Sequence, residues 1–154
     1  MTTKKLNRFL LFRLPAAFFC GVRVYKITET LCEVRVRYRW INTNPFKSMY
    51  FAVQSMAAEL STGALILNAV AASGKPISTL VTEHTGSFSK KAIGTIRFVC
   101  TDGPQCEAVI RKAIETGEGQ KITMRTVGVN EQGIEVSNYQ FEWSLKLKQN
   151  KKNK

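Results

Sequence analysis

Between Glu33 and Glu83 the chain holds a single acidic side chain, Glu59. It sits in a stretch of mostly small and apolar residues, NTNPFKSMYFAVQSMAAELSTG, residues 42–63. A carboxylate on a covered helix face loses solvation, so its proton affinity rises unless a neighbouring donor holds the charged form. Such a group is either a paired structural residue or a general base. Ser55 and Thr62 fall one turn before and one turn after Glu59, the spacing at which they could orient it. Asn44, just before Pro45, suits a helix N-cap as well as a substrate-positioning role.

Other chemistries find less support. The four cysteines, Cys20, Cys32, Cys100 and Cys106, form no C-x-x-C pair, and His84 is the only histidine. A zinc site needs four N or S ligands, usually in close pairs, so no metal site is expected, and no cofactor. His84, in EHTGS near a strand end, reads as a surface residue. No Gly-x-Ser-x-Gly elbow occurs, so no serine triad is expected. Reduced, mostly buried thiols suit a cytoplasmic protein.

The 154 residues carry a formal net charge of +12, from 23 basic and 11 acidic side chains. That balance favours anionic partners. In CEVRVRYRW, residues 32–40, strict alternation places Cys32, Val34, Val36, Tyr38 and Trp40 on one strand face and Glu33, Arg35, Arg37 and Arg39 on the other. The arginines could hold the phosphates of coenzyme A or the pantetheine phosphate of a carrier protein, with Lys90 and Lys91 adding to them. They equally suit a solvated outer sheet face. Single-stranded nucleic acid needs aromatics among the cations. The alternation puts Tyr38 and Trp40 opposite, so no nucleic-acid partner is expected.

One long helix, about residues 48–72, must position Glu59, with Gly74 as its left-handed stop. Its broad apolar side, Met49, Val53, Met56, Ala57, Leu60, Gly63, Ala64 and Leu67, should pack on a sheet. Two weakly polar stripes should point away from that sheet, toward a second subunit or a cleft. One is Ser48, Ser55, Glu59 and Thr62, and the other is Gln54, Ser61 and Asn68. An amphipathic helix is expected over about 3–14, since Arg13 and Pro15 interrupt the apolar run there before it reaches signal-peptide length. Strands are expected over 22–30, 32–40, 77–85, 93–100, 121–129 and 134–148, with a short helix over 102–117. A basic, solvated tail is expected over 149–154. The long helix holds too many polar residues to suggest a membrane span. The whole reads as one α+β domain over 1–154, an antiparallel sheet wrapped around one long central helix.

In this order of elements the chain resembles the hot-dog fold, and more narrowly an uncharacterised domain-of-unknown-function family grouped with the acyl-CoA thioesterases. RYRWINTNPFKSMYFAVQSMAAE is similar to that group's Asn-bearing segment and acid-ending helix, and FSKKAIGTIRF, residues 88–98, to its F-x-K-P-A-x-G strand. The helix over 102–117 and the aromatic last strand, SNYQFEWSLKL, also fit. The resemblance implies that Asn44 positions a thioester and that backbone N–H groups at the helix start polarise its carbonyl. It implies that Glu59 serves as base or nucleophile, often across a dimer interface. Phe51 with Ala52 stand where relatives have two glycines, and Met49 or Tyr50 where they have a histidine. Asn42, Phe46, Tyr50, Phe51, Ala52, Ser55, Thr62, Arg35 and Arg37 complete the expected substrate-binding set.

The function expected is hydrolysis of an acyl-CoA thioester by a homodimer or a dimer of dimers. The missing histidine and glycine pair keep open a non-catalytic binder of acyl-CoA, acyl carrier protein or lipid.

Overall fold

In the computed structural model residues 1–148 are described. The basic tail expected over 149–154 lies outside them. Two helices open the chain, α1 (Thr3–Arg13) and α2 (Pro15–Phe19). Thr2 caps α1, accepting from the Lys5 N–H at 3.3 Å, and Pro15 stands at the start of α2, where its missing donor costs nothing. The expected break at Arg13 and Pro15 therefore divides two helices.

Six strands follow: β1 (Arg23–Ile27), β2 (Cys32–Arg37), β3 (Ile77–Phe88), β4 (Thr95–Cys100), β5 (Gln120–Val129) and β6 (Glu135–Leu147). They form one sheet in the order β1-β2-β4-β5-β6-β3, and every pairing is antiparallel. The sheet wraps a 23-residue helix, α3 (Phe51–Ser73), and α4 (Gly103–Thr116) packs beside it. This is the hot-dog architecture. The long apolar helix and the alternating strands specify it together, since one helix buried on most sides needs a sheet curved around it.

From Leu60 to Ile66 every residue of α3 is buried. α3 is long and apolar enough to cross a bilayer, but here the sheet encloses its middle. Gly74 stops it with φ 63°, the left-handed conformation a glycine adopts freely. Gly103 is needed for another reason: a Cβ there would lie 2.0 Å from the Glu29 carbonyl oxygen. Only glycine lets α4 start against the β1–β2 turn.

Three expectations are corrected. The central helix begins at Phe51, because Met49 bridges to Thr43 and its N–H donates to Ala92 O at 2.9 Å, which holds Met49 and Tyr50 extended. β2 ends at Arg37, and Trp40 is 88% exposed in a 3-10 turn rather than on the buried face. The Asn42 side chain accepts from Arg39 N at 2.8 Å and turns the chain there.

Three residues of the polar stripes, Ser55, Ser61 and Thr62, meet the sheet instead of pointing away from it. Ser61 donates to Thr126 Oγ1 at 2.9 Å, Trp143 Nε1 donates to Thr62 Oγ1 at 3.1 Å, and Ser55 donates to the Tyr139 hydroxyl at 3.3 Å. A curled sheet reaches round to helix positions that a flat one would leave open.

Candidate functional site

The segment before α3 is a knot tied by Asn44. Its Oδ1 accepts from Phe46 N at 2.9 Å and from Ser48 N at 3.2 Å, and its Nδ2 donates to Ser48 Oγ at 3.1 Å and to Met49 O at 3.4 Å. Asn44 N in turn donates to Ser48 O at 2.9 Å. Asn44 is therefore not the helix N-cap. That position falls to Tyr50, whose side chain makes no capping bond. The knot adds a left-handed Lys47, with φ 58°.

This segment sets the start of α3 against a groove of about 650 Å³, whose wall includes Asn44, Phe46, Tyr50, Phe51 and Gln54 from one side and Phe88, Lys90 and Lys91 from the other. Val53 N and Gln54 N donate back to Tyr50 O, but among the described residues no acceptor meets the N–H groups of Phe51 and Ala52. They stand at the positive end of a 23-residue helix, an arrangement that suits an oxyanion or a polarised carbonyl. Phe51, Tyr50 and Phe88 meet edge to face, with centroids 5.0 and 6.2 Å from the Phe51 ring. Phe46 and Phe51 are largely exposed, which gives the groove apolar lips. Ala52 is half-buried beside them.

Glu59 lies two turns further on, about 12 Å along the helix axis by the usual rise per residue, and does not line the groove. Half-buried, its carboxylate lies against α3 and β6: a Cβ on Gly63 would be 3.2 Å from Glu59 Oε1 and 3.3 Å from the Trp143 ring. Burial raises its proton affinity above the ordinary carboxylate value. Among the described residues nothing donates to it. The expected partners are committed elsewhere: Thr62 Oγ1 donates to the Glu59 backbone carbonyl at 2.9 Å and receives Trp143, while Ser55 bonds Phe51 O and Tyr139.

The remaining expected residues separate. Asn42 is sealed inside the loop, its amide donating to Cys20 O at 3.0 Å and Arg37 O at 2.9 Å, so it is scaffold rather than groove wall. Arg35 and Arg37 lie on the convex sheet face, away from the groove. Arg35 pairs with Glu33 at 2.6 Å and covers the Tyr25 ring at 3.2 Å. The cations that do line the groove are Lys90 and Lys91, with Lys91 Nζ donating to Phe46 O at 2.9 Å.

Sequence reasoning missed Gln54 as a groove residue. It is 4% exposed, yet its Oε1 has no protein donor among the described residues. The sequence carried no signal for it, since its free oxygen depends on the contact of its nitrogen with Met49 O. His84 is exposed, stacked 5.8 Å from Phe141.

The described residues include no cluster of three or more potential metal ligands. The thiols of Cys32, Cys100 and Cys106 are pushed up to about 12 by burial, with nearby carboxylates adding to the shift.

Comparison with known proteins places this geometry in context. Residues 2–145 match the model of a domain of unknown function, DUF4442. No curated protein matches the sequence. Among solved structures, PA5026 from Pseudomonas aeruginosa, a protein of unknown function called a probable thioesterase, is 24% identical with a TM-score of 0.79. The match covers 96% of this chain and 97% of that one. A protein of unknown function from Chlorobaculum tepidum superposes at TM-score 0.82 with 15% identity, covering 95% and 94%. The thioesterase HI1161 from Haemophilus influenzae is 12% identical at TM-score 0.73, covering 99% and 96%. At these identities the likeness establishes the shared fold.

Proposed function

The chain belongs to the DUF4442 family, and we propose that it is a thioesterase acting on an acyl-CoA. The observation that carries this reading is the pair of unpaired amides at the positive end of α3, Phe51 N, whose residue lines the aromatic-lipped groove, and Ala52 N beside it. A thioester carbonyl placed there is polarised, and the charge that develops on its oxygen as water attacks is met by fixed donors. Glu59 takes the proton from that water, and its raised proton affinity brings it toward the range of a useful base. The tetrahedral intermediate then expels the thiolate, which leaves as the thiol with the proton from Glu59. Lys90 and Lys91 stand near enough to meet phosphate at the groove. The thioesterase name of PA5026 and HI1161 supports the assignment by likeness of fold.

Within one chain Glu59 is remote from the groove, so the proposal requires a second copy. β3 is an edge strand of 12 residues with Leu80 64% exposed, an unpaired edge of the kind that recruits another strand. Homodimerisation, or a dimer of dimers, would set Glu59 of one copy opposite the helix start of the other. Buried, reduced thiols suit the cytoplasm.

The second reading is a non-catalytic binder of acyl-CoA, acyl carrier protein or lipid. Phe51 and Ala52, where the resemblance has two glycines, favour it. Thiol release from a panel of acyl-CoAs, measured for the wild type and Glu59→Gln in parallel, separates the two. Turnover lost in a folded Glu59→Gln supports hydrolysis. Equal turnover removes Glu59 from the mechanism. Binding without turnover on any substrate supports the binder.

A further inference from the structure

Gln54 has a polar atom whose use the fold does not explain. Helix side chains tilt toward the N-terminus, and the Gln54 amide accordingly reaches back to the knot, where Nε2 donates to Met49 O at 3.4 Å. Of the two ends of the Gln54 amide only the NH2 can donate to a carbonyl, so this bond fixes which end is which, and Oε1 is the free atom. It is buried and no protein donor meets it among the described residues. Gln54 lines the groove one turn past the unpaired Phe51 N–H, on the same helix face. Buried acceptors are rarely left unmatched, because desolvation without a partner costs free energy. The other such atom, Ser137 Oγ, does not line the groove. It fills the notch at Gly128, where a Cβ would lie 2.5 Å away.

We propose that Gln54 Oε1 receives an N–H from the thiol arm of the bound thioester, the amide nearest the sulfur in pantetheine. The carbonyl on the Phe51 and Ala52 amides would sit on one side of the sulfur and this amide on the other. The pair of contacts selects pantetheine thioesters over simple thioesters. Gln54 is thus a specificity residue rather than a catalytic one. The assignment rests on the thioester reading of the groove, but it concerns binding and is tested without turnover.

The probes are ketone analogues of S-octanoyl-N-acetylcysteamine, with methylene in place of sulfur so that nothing hydrolyses. One keeps the amide N–H, a second carries an ester oxygen in its place, and a third adds a 3-hydroxyl to the second. Calorimetric titration of the wild type should show about tenfold weaker binding of the ester probe, the usual scale for one lost hydrogen bond. Gln54→Met, similar in size and apolar, should bind amide and ester probes alike. Wild type that binds the two alike, a Gln54→Met that keeps the wild-type preference, or no binding of any probe overturns the proposal. So does recovery by the hydroxyl probe that depends on Gln54, since the donor would then belong to the acyl arm. If Gln54→Met does not fold, the amide and ester probes on wild type decide alone. Amide preference without turnover on acyl-CoAs would sink hydrolysis and keep Gln54; turnover without amide preference would do the reverse.

Discussion

The two ends of the candidate site are built in opposite ways. At the knot before α3, Asn44 makes hydrogen bonds through both amide atoms, and the neighbouring Asn42 does the same. Two turns along the helix, Glu59 receives no hydrogen bond among the described residues, and burial holds its proton affinity high. The first region is polar chemistry consumed by architecture. The second is polar chemistry left unspent. The expected pair, Asn44 and Glu59, therefore divides into a residue that shapes the helix start and a carboxylate that the fold leaves without a donor among the described residues. Among the described residues, the Phe51 amide and Gln54 Oε1 at the groove, and the Ala52 amide beside it, keep unused capacity.

The largest effect should come from separating activity from stability. Glu59→Gln is expected to lower kcat on the best acyl-CoA by about 100-fold or more, the loss typical of removing a general base. Its melting temperature should not fall. Asn44→Ala should lose turnover and stability together, because the Phe46 and Ser48 amides lose their acceptor. The cost should be about 1–3 kcal/mol for groups left unmatched. Circular-dichroism melts beside steady-state assays check both. An Asn44→Ala protein that melts like the wild type but does not turn over would assign Asn44 to chemistry and erase the contrast.

The next effect is one of pH. Glu59 titrates higher in the fold than in the unfolded chain, so the native state binds more protons between about 4.3 and the raised native value. Stability of the wild type then falls as pH climbs through that window. Glu59→Gln lacks this fall. It should be the more stable protein at pH 7, read as a higher Tm. The gain should vanish near pH 4. A gain that persists there would mean that packing, not charge, explains it.

The sheet and its central helix were legible in the sequence because they rest on period. The alternation in Cys32–Val36 and in Tyr139–Leu145 is the alternation of burial in β2 and β6. What failed was whatever depends on a distant partner. The helix start moved from 48 to 51 because Ala92 O holds Met49 N, and no local pattern announces that bond. Trp40 left the buried face because Asn42 folds back on Arg39. The Ser55, Glu59 and Thr62 stripe was set facing outward because a projection round the helix assumes a flat sheet, whereas β6 curls far enough to bring Tyr139 and Trp143 onto it. Glu59 was marked by its isolation in the sequence. Gln54 could not be, since its orphaned oxygen exists only once Met49 O has claimed its nitrogen.

Lys47 offers the finest test of the knot as scaffold. Its φ of 58° is uncommon for a residue with a Cβ, and its side chain is exposed. The left-handed conformation costs such a residue about 1–2 kcal/mol, while a glycine there gives back about 0.5–1 kcal/mol in chain entropy. Lys47→Gly should therefore stabilise the protein by about 0–1.5 kcal/mol, the difference of those two estimates, read as a small rise in Tm. If the knot only positions the helix start, relieving its strain leaves Asn44 and its partners in place, and turnover should stay within about twofold, the scale of a few tenths of a kcal/mol. A more stable Lys47→Gly with turnover reduced tenfold would show that the strain itself holds the Phe51 and Ala52 amides at their working angle. The knot would then belong to the chemistry as directly as the role proposed for Glu59.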